Sequence, residues 1–486
     1  MADRRTETDH TCGVILMQSR RAFLTQSTSC LGTMALGSLL NDNRLTAADD
    51  LKTEGALPKL HFAPKAKRII YLFQSGAPSH LDLFDPKPKL TEMTGKELPA
   101  SVRGGQRITG MTSGQSQLLC VGAAHKFVKC GQNGTELSET LPHLAKVVDD
   151  IALIRSMTTE PINHDPAVTY LFTGHQQPGR PTLGAWMAYG LGAVNKNLPE
   201  FVVMLSGGGG QPLLSRYWGN GFLPGRFQGV QFRTVGDPVL YVNNPDGIDL
   251  ESRRELLDGV NALNKMQFDR LGDPEIATRI SQFEMAFRMQ SSVPELMEVA
   301  KEKKETLAMY GAEPGKPSFA MNCLLARRLV ERGVRFVQLC HRDWDHHGNL
   351  PSAIKSQCMA TDQPSAALIQ DLKQRGMLDD TLIIWGGEFG RTSYSQGAIT
   401  PTNFGRDHHP RCFSLWMAGG GIKPGVYGKT DDLGYNVAED AVSVHDWQAT
   451  ILHLMGVDHK QMTFRAQGRD YRLTDVSGEV VTKLLR

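Results

Sequence analysis

The chain has 486 residues, of which 40% are hydrophobic and 21% charged, so it can bury a sizeable core and is not globally disordered. The 53 Lys and Arg residues nearly balance the 51 Asp and Glu residues, for a formal net charge of +2. This balance argues against an electrostatic nucleic-acid binder, and the lack of an apolar run of about 18 residues argues against an ordinary membrane-spanning helix.

The N-terminal residues resemble a twin-arginine export signal. Arg20 and Arg21 form the pair, a weakly apolar stretch follows, and Ala47-Ala48 offers a cleavage site. We therefore predict a signal over residues 1–48, passage through the twin-arginine translocase, and a periplasmic or extracellular protein. The alternatives are a disordered tail with a chance arginine pair, or a lipid anchor on Cys30.

The rest of the chain alternates short apolar runs with helical segments, after a charged linker over residues 49–66. The predicted strands are at 68–73, 150–155, 201–205, 334–339, 381–385 and 413–417, and the predicted helices at 250–310, 319–331, 364–375 and 446–455, the last capped by Asp446. Such alternation predicts an α/β fold, a mostly parallel central sheet with helices on both faces. We expect one large domain over 67–486.

Polar side chains cluster next to the predicted strands, at the position where open α/β sheets carry their functional groups. The clusters are Ser79 with Asp82, the segment 341–347, Glu388 with Arg391, and the segment 406–409. Five of the 15 histidines fall in 341–347 and 408–409. The run Gly207–Gly210 can approach a phosphate, but a flexible turn explains it as well.

Imidazole and carboxylate ligands suit zinc, iron or manganese, and two-metal sites collect ligands from several loops. The alternative is a hydrogen-bonded polar loop with surface histidines. His164 is a candidate ligand or proton donor, and Ser79, Thr158 and Thr159 are candidate nucleophiles. The eight cysteines form no C-x-x-C pair, which argues against a thiolate zinc site. A disulfide between Cys120 and Cys130 is compatible with an oxidising compartment.

Five segments together resemble the DUF1501 family: 76–87, 344–349, 387–392, 405–409 and 468–475. The match runs in order along residues 15–486. It implies exported bacterial proteins with a fold similar to the alkaline phosphatase and sulfatase superfamily. That superfamily has one or two divalent metals beside a hydroxyl or formylglycine nucleophile, and its members hydrolyse phosphate or sulfate esters or move phosphoryl groups.

Transferred by motif, the resemblance implies that Asp345 and His347 bind one metal and that His408 or His409 is a later ligand. Glu388-Phe389-Gly390 stands where the superfamily has Asp-His-Gly, so a complete second metal site is not implied. Asp82 is a displaced acidic ligand. No cysteine has the sequence context of a formylglycine precursor, which argues against a sulfatase of that type.

These observations lead to one main hypothesis, an exported metal-dependent hydrolase of phosphate or sulfate esters that acts on small-molecule or carbohydrate anions. The cofactor is a divalent metal, with zinc first and iron, manganese or calcium as alternatives. The predicted metal residues are Asp345, His347, Glu388, Asp407, His408, His409 and Asp82, and the predicted catalytic residues are His164, Arg391 and Ser79. Arg391 or Arg406 would bind the anion bidentately. The competing hypotheses are a non-catalytic exported binding protein on the same scaffold, for an anionic carbohydrate, and a structural protein.

Overall fold

Buried apolar strands form the centre of the molecule. The first of them, RIIYLFQ, is buried at six of its seven positions, as expected for a strand covered on both faces. The structure is a computed structural model that describes residues 55–486 except 235, 240–242, 245–246 and 401, within the compact unit Lys52–Arg486. The predicted export signal over 1–48 lies outside the described residues.

The strands are β1 Arg68–Gln74, β2 Phe127–Cys130, β3 Thr135–Ser138, β4 Ile151–Thr158, β5 Phe201–Ser206, β6 Val230–Phe232, β7 Phe336–His341, β8 Thr381–Gly386, β9 Gly390–Gln396, β10 Gly405–His409, β11 Phe413–Ala418, β12 Gly425–Tyr427, β13 Lys429–Thr430, β14 Val437–Glu439, β15 Val442–Ser443, β16 Phe464–Ala466 and β17 Arg469–Tyr471. The helices are α1 His80–Leu83, α2 Pro88–Glu92, α3 Ala100–Arg103, α4 His164–Thr173, α5 Leu183–Leu191, α6 Leu250–Leu271, α7 Pro274–Met297, α8 Lys304–Tyr310, α9 Phe319–Glu331, α10 Leu350–Gln374 and α11 Val444–Leu454.

The central sheet has nine strands, in the order β12-β4-β11-β8-β1-β7-β5-β6, with β15 also paired to β4. The pairs of β1 with β7 and β8, and of β5 with β6 and β7, are parallel. Strand β11 is antiparallel to both of its neighbours, β4 and β8. The carboxyl ends of β1, β7 and β8 therefore meet at one edge, and β9 and β10 form a separate antiparallel pair.

Two apolar cores cover the two faces of the sheet. One includes residues of α9 and α10, and the other includes residues of α4, α5 and α11. The prediction of an α/β fold with a mostly parallel sheet and helices on both faces is confirmed. Among the residues described, no helix is both long and apolar enough to cross a bilayer.

Two predicted helix starts differ from the structure. Helix α10 begins at Leu350, and Pro364 lies inside it. Proline removes the hydrogen bond to the carbonyl four residues earlier, and this carbonyl belongs to Ala360, which is exposed, so water can replace the lost donor. Helix α11 is capped by Ser443, and Asp446 completes a capping box from the third helical position.

The disulfide between Cys120 and Cys130 that the sequence allowed is not formed, since both are free cysteines in the structure. Cys120 is buried in a small apolar cluster, whereas Cys130 ends strand β2 and is only partly buried. Burial raises the pKa of the Cys120 thiol to about 11, which keeps that thiol protonated and unreactive at neutral pH.

Candidate metal centre

Four side chains from distant parts of the sequence converge beyond the carboxyl ends of the central strands. His164, Asp345, His347 and His408 each offer one ligand atom, and these atoms lie within 4.8 Å of one another. We call these four residues the His/Asp cluster. Asp345 and His347 belong to the loop after β7, His164 begins α4, and His408 lies in β10. The order of the strands in the sheet thus brings together four residues that are far apart in sequence.

The Oδ1 atom of Asp345 is the centre of the cluster. It lies 2.8 Å from Nε2 of His347, 3.2 Å from Nε2 of His164 and 3.5 Å from Nε2 of His408. The guanidinium of Arg391 donates to the same oxygen over 2.6 Å. Burial raises the pKa of Asp345, but these histidines and Arg391 outweigh burial, so the pKa lies well below its ordinary value. Asp345 is therefore an anion at any physiological pH.

Glu388 orients the first histidine of the cluster. Its Oε1 lies 2.6 Å from Nδ1 of His164 and accepts the backbone N–H of Gly76 over 3.1 Å. Burial lowers the pKa of His164, but the carboxylates of Asp345 and Glu388, one at each ring nitrogen, outweigh burial and raise it. A metal ion would replace the proton on Nε2, while Glu388 keeps the proton on Nδ1.

The other two histidines are oriented in the same way. Nδ1 of His408 faces the backbone carbonyl of Ile162 at 2.8 Å, and Nδ1 of His347 faces Oε1 of Gln396 at 2.5 Å. A proton on each Nδ1 leaves the lone pair on Nε2, and these two Nε2 atoms are 3.1 Å apart. Burial lowers the pKa of His408 to about 4, so this imidazole is neutral and available as a ligand.

The donor set fits a transition metal. Three imidazole nitrogens and one carboxylate oxygen suit Zn²⁺, Fe²⁺ or Mn²⁺, whereas Ca²⁺ prefers an all-oxygen shell. Two lone pairs facing each other at 3.1 Å repel unless a cation lies between them. The side chains of His347 and Asp345 are 24% and 12% exposed, which leaves one side of the cluster open to water and substrate. The structure thus contains a possible metal site.

Gly76 allows the loops of the site to approach each other. Its φ is +104°, and a Cβ atom there would lie 2.6 Å from the backbone nitrogen of Asp345 and 2.9 Å from the carbonyl carbon of Trp344. A side chain at this position would push the 343–345 loop away from β1. Gly76, two residues after β1, therefore sets the position of the central carboxylate.

Arg391 and Arg406 are buried, and their N–H groups are largely committed. Arg391 donates to the backbone carbonyls of Gly76, Ala77 and Arg406 as well as to Asp345. Arg406 is fully buried and pairs with Asp82 over 2.7 Å. Both arginines brace the loops around the site, and these contacts leave few N–H groups free for an anionic substrate.

Three further predicted residues are not members of the cluster. Ser79 donates to Asp82, which is fully buried and also accepts the backbone N–H of Ala124 over 2.7 Å. Asp407 accepts hydrogen bonds from Thr109 and Thr112. Their roles as nucleophile and ligands stay predictions.

His409 points away from its neighbour His408. Its Nε2 faces the carbonyl of Tyr435 at 2.6 Å, and its ring packs on the Tyr435 ring with centroids 4.1 Å apart. Burial lowers its pKa to about 3. Both histidines were predicted metal residues, with either as the later ligand, and only His408 belongs to the cluster.

Two residues that contact the cluster were not predicted from the sequence. Gln396 orients His347, and Gln211 donates from Nε2 to Oδ2 of Asp345 over 3.1 Å. No local feature of the sequence points to a role for Gln396. Gln211 directly follows the four glycines Gly207–Gly210, and that run was the one feature that could have drawn attention to it.

Comparison with known protein families identifies the family of this chain. The family model for DUF1501, a protein of unknown function, matches residues 66–485. The chain belongs to the DUF1501 family. A comparison of this DUF1501 sequence with curated proteins gives no match.

Solved structures similar to this DUF1501 protein include a sulfatase, a lipoteichoic acid synthase and an alkaline phosphatase. The PsFucS1 sulfatase from Pseudoalteromonas sp. has 12% identity and a TM-score of 0.34 over 81% of this chain and 68% of its own. The lipoteichoic acid synthase LtaP from Listeria monocytogenes has 9% identity and a TM-score of 0.33 over 85% and 76%. The alkaline phosphatase from the Antarctic bacterium TAB5 has 10% identity and a TM-score of 0.30 over 77% and 97%. Similarities at this level assign no activity to the chain.

Proposed function

We propose that this DUF1501 protein is an exported, metal-dependent hydrolase of phosphate or sulfate esters. The observation that supports it is the convergence of three oriented Nε2 atoms on Oδ1 of Asp345. The choice of phosphate or sulfate esters as substrates rests on the motif resemblance. The proposal of export rests on the arginine pair Arg20 and Arg21. His164, Asp345, His347 and His408 would hold the metal, and Zn²⁺, Fe²⁺ and Mn²⁺ fit these donors.

When bound, a divalent metal polarises the ester oxygen and makes water a stronger nucleophile at neutral pH. The chain's own residues fix the ligands and control access. Glu388 and the Ile162 carbonyl hold two of the imidazoles by Nδ1. Phe389, which is 1% exposed, packs against His164 and His408 and closes the apolar side of the cluster. Substrate would enter on the side of His347.

The deciding experiment measures the metal content of the purified mature protein by elemental mass spectrometry. The wild type is compared with His347→Ala/His408→Ala and with His175→Ala, a control for a partly exposed histidine outside the cluster. We expect near-stoichiometric metal in the wild type and the control, and loss of metal in the double variant. A folded wild type that binds no divalent metal at any tested concentration would refute the proposal.

A hydrolysis screen then tests the reaction. p-Nitrophenyl phosphate and p-nitrophenyl sulfate are offered to the metal-loaded wild type and to the double variant. We expect turnover of at least one ester by the wild type and none by the variant. Stoichiometric metal without turnover of any phosphate or sulfate ester would favour the alternative, a non-catalytic binding protein. One observation favours that alternative, namely that Phe389 fills the place next to His164 and His408 where the superfamily motif has a histidine.

A further inference from the structure

The two oxygens of Asp345 have different environments. Oδ1 faces the three Nε2 atoms of the cluster and the guanidinium of Arg391. Oδ2 accepts a hydrogen bond from the side-chain amide of Gln211, with Nε2 and Oδ2 3.1 Å apart. Gln211 thus engages the carboxylate oxygen that points away from the ligand atoms of the cluster.

The segment before Gln211 is attached to the loop that carries Asp345. The backbone N–H groups of Gly208 and Gly209 donate to the two carboxylate oxygens of Asp343 over 3.0 and 2.8 Å. Arg342 donates to the carbonyl of Gly207 over 2.8 Å. A Cβ atom at Gly207 would lie 2.8 Å from the backbone nitrogen of Arg342, so only glycine allows this approach. These contacts place Gln211 against Asp345.

We propose that Gln211 is a positioning residue that holds Asp345 as a one-oxygen ligand. A carboxylate whose second oxygen is free can bind a metal with one or both oxygens. A donor on Oδ2 disfavours the two-oxygen mode, because that mode would break the hydrogen bond. The coordination position that Oδ2 would fill then stays open for water or substrate. The inference rests on the proposed metal-dependent function, and it assigns a role to a residue outside the ligand set.

The test replaces the metal with Co²⁺, whose visible absorption weakens as the coordination number rises from four to five or six. Gln211→Met keeps the approximate size of the side chain and removes the donor. Gln176→Met is the matched control, since Gln176 hydrogen-bonds to Glu160 at the surface. Asp343→Ala keeps the Gln211 side chain but removes the carboxylate that anchors Gly208 and Gly209, the residues that position Gln211. The wild type and all three variants are titrated with Co²⁺ against a chelator, and their thermal unfolding is recorded without metal.

We expect Gln211→Met to fold, to bind Co²⁺ about 10–100-fold more weakly, and to absorb less strongly than the wild type. Asp343→Ala should change the spectrum in the same direction, and Gln176→Met should match the wild type. His347→Ala, which loses a ligand, is titrated in parallel. An unchanged Co²⁺ affinity and spectrum in Gln211→Met, with binding abolished in His347→Ala, would overturn the role of Gln211 and leave the proposed function standing. If Gln211→Met does not fold, an unchanged spectrum in Asp343→Ala overturns it. A wild type that binds no Co²⁺ overturns both.

Discussion

The contact between Glu388 and His164 gives the sharpest prediction about the candidate metal site. Glu388 is fully buried, and its Oε1 lies 2.6 Å from Nδ1 of His164. In Glu388→Gln an amide oxygen can still accept the N–H groups of His164 and Gly76, so the shape of the site is kept. The substitution removes only the negative charge that makes the imidazole a stronger ligand.

The size of the effect follows from the role of such partners. Replacing a group that orients a metal-bound histidine costs about 10–100-fold in metal affinity, or about 1.4–2.7 kcal/mol. At saturating metal, the stabilisation of the folded state by the metal falls by the same amount. Without metal, we expect a smaller loss in the free energy of unfolding, confined to the lost attraction between the Glu388 charge and protonated His164. Oε2 of Glu388 has no hydrogen-bond partner in the structure, so the substitution exchanges one unpartnered buried atom for another.

The assay is a metal-competition titration at pH 8, together with denaturant unfolding in the presence and absence of metal. Glu92→Gln is the control, because Glu92 is an exposed carboxylate whose side chain is 67% accessible. A Glu388→Gln protein that binds metal as tightly as the wild type would refute the orienting role. Equal destabilisation with and without metal would also refute it, since the loss would then belong to the fold.

Three further predictions concern the frame of the site. Arg406→Leu leaves Asp82 as an unpaired buried carboxylate and should lower the free energy of unfolding by about 3–5 kcal/mol; a loss below 1 kcal/mol in denaturant titration would contradict this. Gly405→Ala places a Cβ atom 1.9 Å from the carbonyl oxygen of His347, and it should reduce both the free energy of unfolding and the metal content. Metal binding equal to that of the wild type would contradict this, because the loop that carries His347 would then have moved without cost. Burial lowers the pKa of His80 in the folded protein. Below pH about 6.5, His80 is therefore protonated in the unfolded chain but still neutral in the folded protein. The free energy of unfolding then falls as the pH falls. In His80→Gln this slope between pH 7 and 5 should decrease by up to about 1.4 kcal/mol per pH unit, and an unchanged slope would exclude His80 as a contributor.

The sequence alone determined the sheet and the family. Five strands of the central sheet are nearly continuous apolar runs: β1, β5, β7, β8 and β11. Apolar strands that alternate with helical segments predict a mostly parallel sheet covered by helices on both faces. Because functional groups collect at the carboxyl ends of such strands, the sequence also identified the loops that carry Asp345, His347 and Glu388. The 408–409 pair, predicted to precede a strand, lies within strand β10.

Only the tertiary structure decided which side chains meet. His408 and His409 are adjacent in β10, and neighbouring residues of a strand point to opposite faces, so only one of them reaches the cluster. No local pattern tells which one, because the face is set by the pairing of β10 with β9.

The same holds for the contacts that orient the ligands. His164 and Glu388 are 224 residues apart in sequence, and Gln211 and Asp345 are 134 apart. Their contacts depend on strand order and on loops that close over one another at glycines. The sequence thus determines which chemical groups lie at the ends of the strands, and the packing of those strands determines which atom of each group faces the His/Asp cluster.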